Sequence, residues 1–242
     1  MTLTINDFRT EDVTKGGQGA PLVPIGDRHL FAEFPICLNI GGIANVSYEM
    51  NDKRIAYDIC IANQLLNYLS NKLGYDYDNN GNFASQGSVN QDLFDKLNDN
   101  PYYGKSHPKS LGREFFEEVQ HKLVDDSKLD VKDLLRTATE HIAFQIAKST
   151  EQLEKSKMLI TGGGAKNTFL INRICDLSKH EIIIPDTTII DYKEALIFAF
   201  LGTLKMEDKV NVLSSVTGAS SDSSSGNIYL PGNTINDVKR LV

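Results

Sequence analysis

The chain has 242 residues, 25 Lys and Arg against 32 Asp and Glu, and a formal net charge of −7. Apolar residues make up 40% and charged residues 24%, a globular composition that excludes wholesale disorder and allows one large domain or two small ones. The acidic balance excludes a basic nucleic-acid binder, while small anions stay open as ligands because backbone amides hold them against the net charge.

No run reaches the roughly 18 apolar residues of a bilayer-spanning helix, so no membrane partner is expected. Met1-Thr2-Leu3-Thr4-Ile5-Asn6-Asp7 lacks the charged and apolar regions of a secretory signal. Cys37, Cys60 and Cys175 are odd in number and far apart, which suits reduced thiols and a cytoplasmic location.

In chain order, residues 1–33 are polar and turn-rich around Gly16-Gly17-Gln18-Gly19-Ala20-Pro21. Strands are expected at Pro35–Ile40, Asn45–Met50 and Arg54–Ile59, with turns at Gly41-Gly42 and Asn51-Asp52-Lys53. Leu65, Leu66, Leu69 and Leu73 have helical spacing and Gly74 stops them. Residues 75–128 read as a loop-rich insertion. A long helix follows from about Val131 to Leu153, then a strand at Met158–Thr161 that runs into Gly162-Gly163-Gly164. Next come a helix around Phe169–Leu177, a strand at Ile182–Ile184, a helix from about Lys193 to Met206, and a Ser-rich loop or lid at 214–226. The order predicts an α/β fold: a three-strand meander and then alternating helices and strands, which is the ribonuclease-H-like order of actin-like kinase domains.

Several familiar signals fail. There is no GxxxxGK[ST] loop, and no GxGxxG opens a helix after a strand. Asp76-Tyr77-Asp78-Asn79-Asn80-Gly81 imitates a calcium loop, but its twelfth position is Gly87 rather than Glu. The histidines are scattered and Glu140-His141 is not part of HExxH, so no metal site is assigned.

Two glycine clusters carry more. Asn39-Ile40-Gly41-Gly42-Ile43-Ala44-Asn45 ends one strand and begins the next, so Gly41 and Gly42 bring bare backbone to a phosphate or simply make a tight hairpin. Thr161-Gly162-Gly163-Gly164-Ala165-Lys166-Asn167 joins a strand to a helix, where a nucleotide can lie on bare backbone, and Asn167 is placed to cap that helix. Asp12 lies four residues before Gly16 and suits a general base, although Asp7 and Glu11 lie nearby and the residues alone do not rank the three. In His107-Pro108-Lys109-Ser110-Leu111-Gly112-Arg113-Glu114, Lys109 or Arg113 is placed to hold an anion, or the segment only begins a helix. Ala195 and Ala199 allow close helix packing, and Glu194 falls in the first turn of its expected helix, as a dipole partner or a ligand contact.

GGQGAPLVP (16–24), NIGGIANVS (39–47), HPKSLGREFF (107–116), ITGGGAKN (160–167), YKEALIFAFLG (192–202) and VTGAS (216–220) together resemble the anhydro-N-acetylmuramic acid kinases, in order and spacing over nearly the whole chain. Residues 206–232 are similar in style to the Bacteroidetes branch. The resemblance implies a two-domain actin-like kinase that uses ATP and Mg. It implies an amino sugar substrate, 1,6-anhydro-N-acetylmuramic acid, which is opened by water and phosphorylated at O6 in cell-wall recycling. It also implies a cytoplasmic homodimer. By position, Asp12 matches the general base. Gly41, Gly42 and Asn45 match the second phosphate segment, and Gly162, Gly163, Gly164 and Asn167 the adenosine segment. Gln18, Asp58, Asn63 and Glu194 match sugar-contacting positions.

Two departures stand out. The family begins with a Gly-Thr-Ser-x-Asp-Gly phosphate loop, and Met1 falls just upstream of GGQGAPLVP. The resemblance therefore covers a C-terminal portion: residues 1–33 as a remnant of the first domain and 34–242 as the second, nucleotide-binding domain. Apolar surface left bare by this arrangement would favour association. Asp58-Ile59-Cys60-Ile61-Ala62-Asn63 stands where the family has Asp-Thr-Gly-Pro-Gly-Asn, so both glycines are lost. These departures motivate the competing reading, an inactive nucleotide-binding or interaction module.

Overall fold

A computed structural model describes residues 3–230. Residues 231–242, the end of the expected second domain and of the 206–232 stretch, and the Arg113 side chain lie outside the described residues. The elements are β1 (Thr4–Asn6), α1 (Thr10–Thr14), α2 (Pro24–Leu30), β2 (Ile36–Ile40), β3 (Ile43–Met50), β4 (Lys53–Ile61), α3 (Asn63–Asn71) and α4 (Gln91–Asn98). After them come α5 (Arg113–Phe115), a π-helical turn (Phe116–Gln120), α6 (His121–Asp126), α7 (Val131–Thr150), β5 (Lys157–Thr161) and α8 (Thr168–Leu177). β6 (Glu181–Ile183), α9 (Thr187–Met206), α10 (Ser214–Thr217) and β7 (Asn227–Tyr229) complete the described chain.

The chain divides into two compact units: residues 1–32, 49–56 and 192–242 in one, and 33–48 and 57–191 in the other. The segment from 192 is thus grouped with the N-terminal residues and with 49–56.

The larger unit is built on a mixed five-stranded sheet in the order β4-β3-β2-β5-β6. β2 runs antiparallel to β3 and parallel to β5, and β5 runs parallel to β6. The near-continuous apolar runs of β2 and β5 are buried on both faces, as central strands require. Asn51 and Asp52 both take positive φ in the β3–β4 turn, matching the twist of a two-residue hairpin. Leu135, Ala138, Ile142 and Ile146 form the fully buried stripe of α7, and Asp130 caps that helix by accepting from Lys132 N.

The calcium-loop mimic has a structural explanation. The buried Asp78 carboxylate accepts from the backbone N–H groups of Phe83 (2.8 Å) and Ala84 (2.9 Å), so its oxygens tie a loop.

In the smaller unit, β1 and β7 pair antiparallel with Thr4 opposite Tyr229, a pairing no local sequence signal announces. Buried charges hold α2, the 49–56 turn and α9. Lys193 Nζ lies 2.5 Å from Asp27 Oδ1, and Arg54 reaches Asp27 at 3.8 Å and Glu49 at 3.5 Å. The Ser-rich segment, expected as a loop or lid, opens with α10 and continues as a loop tied down into a strap. Asn211, fully buried, donates to the carbonyls of Leu201 (3.1 Å) and Ser225 (2.8 Å) and accepts from Ser225 N at 2.7 Å. Its polar atoms are satisfied inside, which hydropathy cannot register. α9 begins at Thr187, so Glu194 lies eight residues into the helix and has no first-turn dipole role, correcting that expectation.

Candidate functional site

Two groups of the expected site residues come together, one in each unit. In the larger unit the carboxyl ends of β2 and β5 lie side by side, and Gly41-Gly42 and Gly162-Gly163-Gly164 continue from them. Asn63 joins this group at the start of α3: its N–H donates to Gly41 O at 3.1 Å and its Nδ2 to Ile40 O at 3.1 Å. The N–H groups of Ala62 and Gln64 donate to Gly42 O at 2.8 and 3.2 Å. The carbonyls of both glycines thus cap α3 and the turn is fixed.

The glycines separate by what they require. Gly162 has φ +82°, and a Cβ on Gly164 would overlap the Ile40 side chain, so the fold itself needs both. Gly41, Gly42 and Gly163 have no such need: a Cβ there would find its nearest neighbour at 3.5, 3.9 and 3.7 Å, ordinary contact distances. Gly42 and Gly163 are exposed. Bare backbone without an internal cause, at the carboxyl ends of adjacent parallel strands, is where open α/β sheets take ligands. Gly41 and Gly42 make a tight β2–β3 turn in which neither adopts a positive φ.

Asn45 lies opposite Asn39 in the ladder, and Asn39 beside Thr161, making a polar row across three strands next to the glycines. Asn39 and Thr161 were not singled out from sequence; the signal available was a polar residue closing each of two apolar strands. Asn167 is the N-cap of α8, its Oδ1 accepting from Leu170 N at 3.0 Å.

Asp58 has other partners. Its Oδ2 accepts from Leu111 N (2.9 Å), its carbonyl from Tyr102 Oη (2.7 Å), and its N–H donates to Lys109 O (3.3 Å). Burial raises its carboxyl above the usual range. Lys109 Nζ sits 4.8 Å over the Tyr102 ring and 5.3 Å over Tyr57, and burial lowers its ammonium. Tyr102, Lys109 and Leu111 therefore dock on β4. The departing residues Ile59, Cys60, Ile61 and Ala62 are all buried as β4 runs through Ile61.

In the smaller unit the three acids differ in burial and partners. Asp7 is exposed, and Glu11 pairs with Lys15 at 3.4 Å. Asp12 is 0% exposed at the centre of the glycine-rich loop. Its Oδ2 accepts from Gly19 N at 2.8 Å and its Oδ1 from Thr217 Oγ1 at 2.7 Å. A Cβ on Gly17 would overlap this carboxylate, and Arg9 Nη1 holds Gly19 O at 2.6 Å. The exposed Gln18 donates its N–H to Thr217 O at 3.0 Å. Glu194 is exposed on α9. Thr217, the hydroxyl partner of Asp12, lies in the VTGAS segment.

Among the described residues no three His, Cys, Asp or Glu side chains converge as a metal cluster, and no helix is long and apolar enough to cross a membrane. Cys37 and Cys60 are buried thiols and Cys175 is an exposed one, and none of the three is in a disulfide.

The family model described as anhydro-N-acetylmuramic acid kinase matches residues 2–231. The chain is 36% identical over 238 residues to the curated anhydro-N-acetylmuramic acid kinase of Vibrio parahaemolyticus, covering 93% of this chain and 64% of that protein. It is 37% identical over 239 residues to that of Pasteurella multocida, covering 93% and 63%. The chain thus spans just under two thirds of the length of these relatives. A solved structure of component A of the (R)-2-hydroxyglutaryl-CoA dehydratase of Acidaminococcus fermentans aligns at TM-score 0.46 and 13% identity, over 72% of this chain and 63% of that one.

Proposed function

Because the chain belongs to the anhydro-N-acetylmuramic acid kinase family, we propose that it carries the nucleotide cradle and general base of an ATP-dependent kinase. Its substrate is 1,6-anhydro-N-acetylmuramic acid and its product N-acetylmuramic acid 6-phosphate, a step of cell-wall recycling. The observation that carries this reading is the pairing of Gly41, Gly42 and Gly163 as backbone free of internal need. The strand order β4-β3-β2-β5-β6, with a parallel β2–β5–β6 half, supports the ribonuclease-H-like, actin-like reading of the fold.

The cradle fits a nucleotide. Gly41, Gly42 and Asn45 would lie along its phosphates, and Gly163 along its nucleoside, while Gly162, Gly164, Asn63 and Asn167 hold that backbone in place. ATP supplies the γ-phosphoryl group. Mg would arrive held mainly by phosphate oxygens, as this cation commonly does. Asp12 removes a proton from the water that attacks the anomeric carbon. The C1–O6 bond breaks, and O6 takes the phosphoryl group. Gln18 and Glu194, both exposed in the unit that holds Asp12, are proposed sugar contacts. The proposed role of Asp58 is to seat the 102–111 segment, through its bonds to Tyr102 and Leu111. A cytoplasmic homodimer completes the proposal: Tyr192, Leu196 and Met206 of α9 are exposed, and such apolar surface favours association.

The test is product analysis in 18O-labelled water with Mg-ATP and the anhydro sugar. The proposal expects one 18O at C1 and the phosphate on O6. Nucleotide binding without any phosphorylated sugar would favour the inactive-module reading instead.

A further inference from the structure

The carboxylate of Asp12 has one donor on each oxygen, and the two donors come from opposite ends of the chain. Gly19 N serves Oδ2, seven residues away, and Thr217 Oγ1 serves Oδ1, 205 residues away. Thr217 is 1% exposed and ends α10, immediately before Gly218 at φ +82°. Its hydroxyl accepts from Ala219 N at 3.4 Å, and its other acceptor in reach, Leu213 O, is also at 3.4 Å. At 2.7 Å, Asp12 Oδ1 therefore receives the hydroxyl proton.

We infer that Thr217 is the positioning residue of the proposed general base: its hydroxyl fixes the plane of the Asp12 carboxylate and so aims the remaining lone pairs. This rests on the reading of Asp12 as the base. Two anchored oxygens stop the carboxylate from rotating about its Cβ–Cγ bond, and geometric fixing of a reacting group acts on the chemical step rather than on substrate binding. The strap that carries Thr217 is itself fixed nearby. Ser214 N and Oγ both donate to Asp222 Oδ1 at 2.7 Å, and Ser220 N donates to Lys15 O at 3.0 Å. The C-terminal strap thereby sets the geometry of a loop at the other end of the sequence.

The experiment compares Thr217→Val, Thr217→Ser and Asp12→Asn in the full 242-residue chain. It reads first the 13C resonance of the Asp12 carboxyl carbon, which needs no turnover. T217V moves it, and T217S leaves it near the wild-type position. A resonance unmoved by T217V overturns the inference. Steady-state kinetics then separate the two claims. T217V lowers kcat by about tenfold to a hundredfold with KM within about twofold, and T217S recovers most of it. Wild-type kcat in T217V, with D12N inactive, overturns the positioning role alone. Wild-type kcat in D12N overturns the base assignment and the inference with it. Equal melting temperatures of T217V and T217S exclude simple unfolding as the cause of a difference between them.

Discussion

Gly164 lies against the side chain of Ile40, so close that a Cβ on the glycine would overlap the Ile40 Cγ2 methyl. Gly163, one residue earlier, has its nearest neighbour for a Cβ at 3.7 Å, on Asn63. Of these adjacent glycines, one is required by the packing of β5 on β2 and the other has no such requirement. Gly164→Ala should destabilise the fold by about 1–3 kcal/mol through overpacking, and Ile40→Val should recover part of that. Gly163→Ala should leave the melting temperature nearly unchanged and weaken the stabilisation given by added ATP. Thermal melts with and without nucleotide check both.

Asn211 is the second case. Its side chain makes three hydrogen bonds to buried backbone groups of Leu201 and Ser225. Asn211→Ala leaves those groups unsatisfied and should cost about 2–4 kcal/mol in urea unfolding. Ser221→Ala, on the exposed side of the same strap, should be close to neutral.

Buried histidine gives a pH dependence. His141 accepts or donates within a closed set, with Nδ1 2.8 Å from Asn98 Oδ1 and Nε2 3.2 Å from Tyr103 Oη. Burial pushes its pKa down to about 3, against about 6.5 when unfolded. The unfolded chain therefore binds more protons than the native one between those values. The stabilisation is complete above about pH 6.5 and declines as pH falls toward 3. His29, also lowered by burial and by Arg28, contributes in the same direction. His141→Gln should flatten the slope of unfolding free energy between about pH 5 and 6.5, leaving the His29 share.

The larger unit was readable because its signals are local. The apolar runs of β2 and β5 and the stripe of α7 each lie within one short window, and their boundaries differ by a few residues at most. α9 started six residues early because Thr187-Thr188-Ile189-Ile190 reads as β-branched extended chain, yet helix packing overrides that weak preference. The smaller unit was hardly legible. β1 meets β7, and Asp12 meets Thr217, across more than 200 residues. The strap is held by buried amide and hydroxyl groups that hydropathy scores as loop. The motif resemblance singles out the candidate site residues, but not their division of labour. Which glycine has an internal cause, and that Asn167 caps a helix and Asn63 a turn, depend on neighbours brought in by the fold.

The most direct measurement is ADP release from Mg-ATP by this chain, with and without 1,6-anhydro-N-acetylmuramic acid, beside the Asp12→Asn variant. The proposed base and cradle require release that depends on the sugar and falls by at least about a hundredfold in D12N. Release without sugar, or undiminished release in D12N, would contradict them.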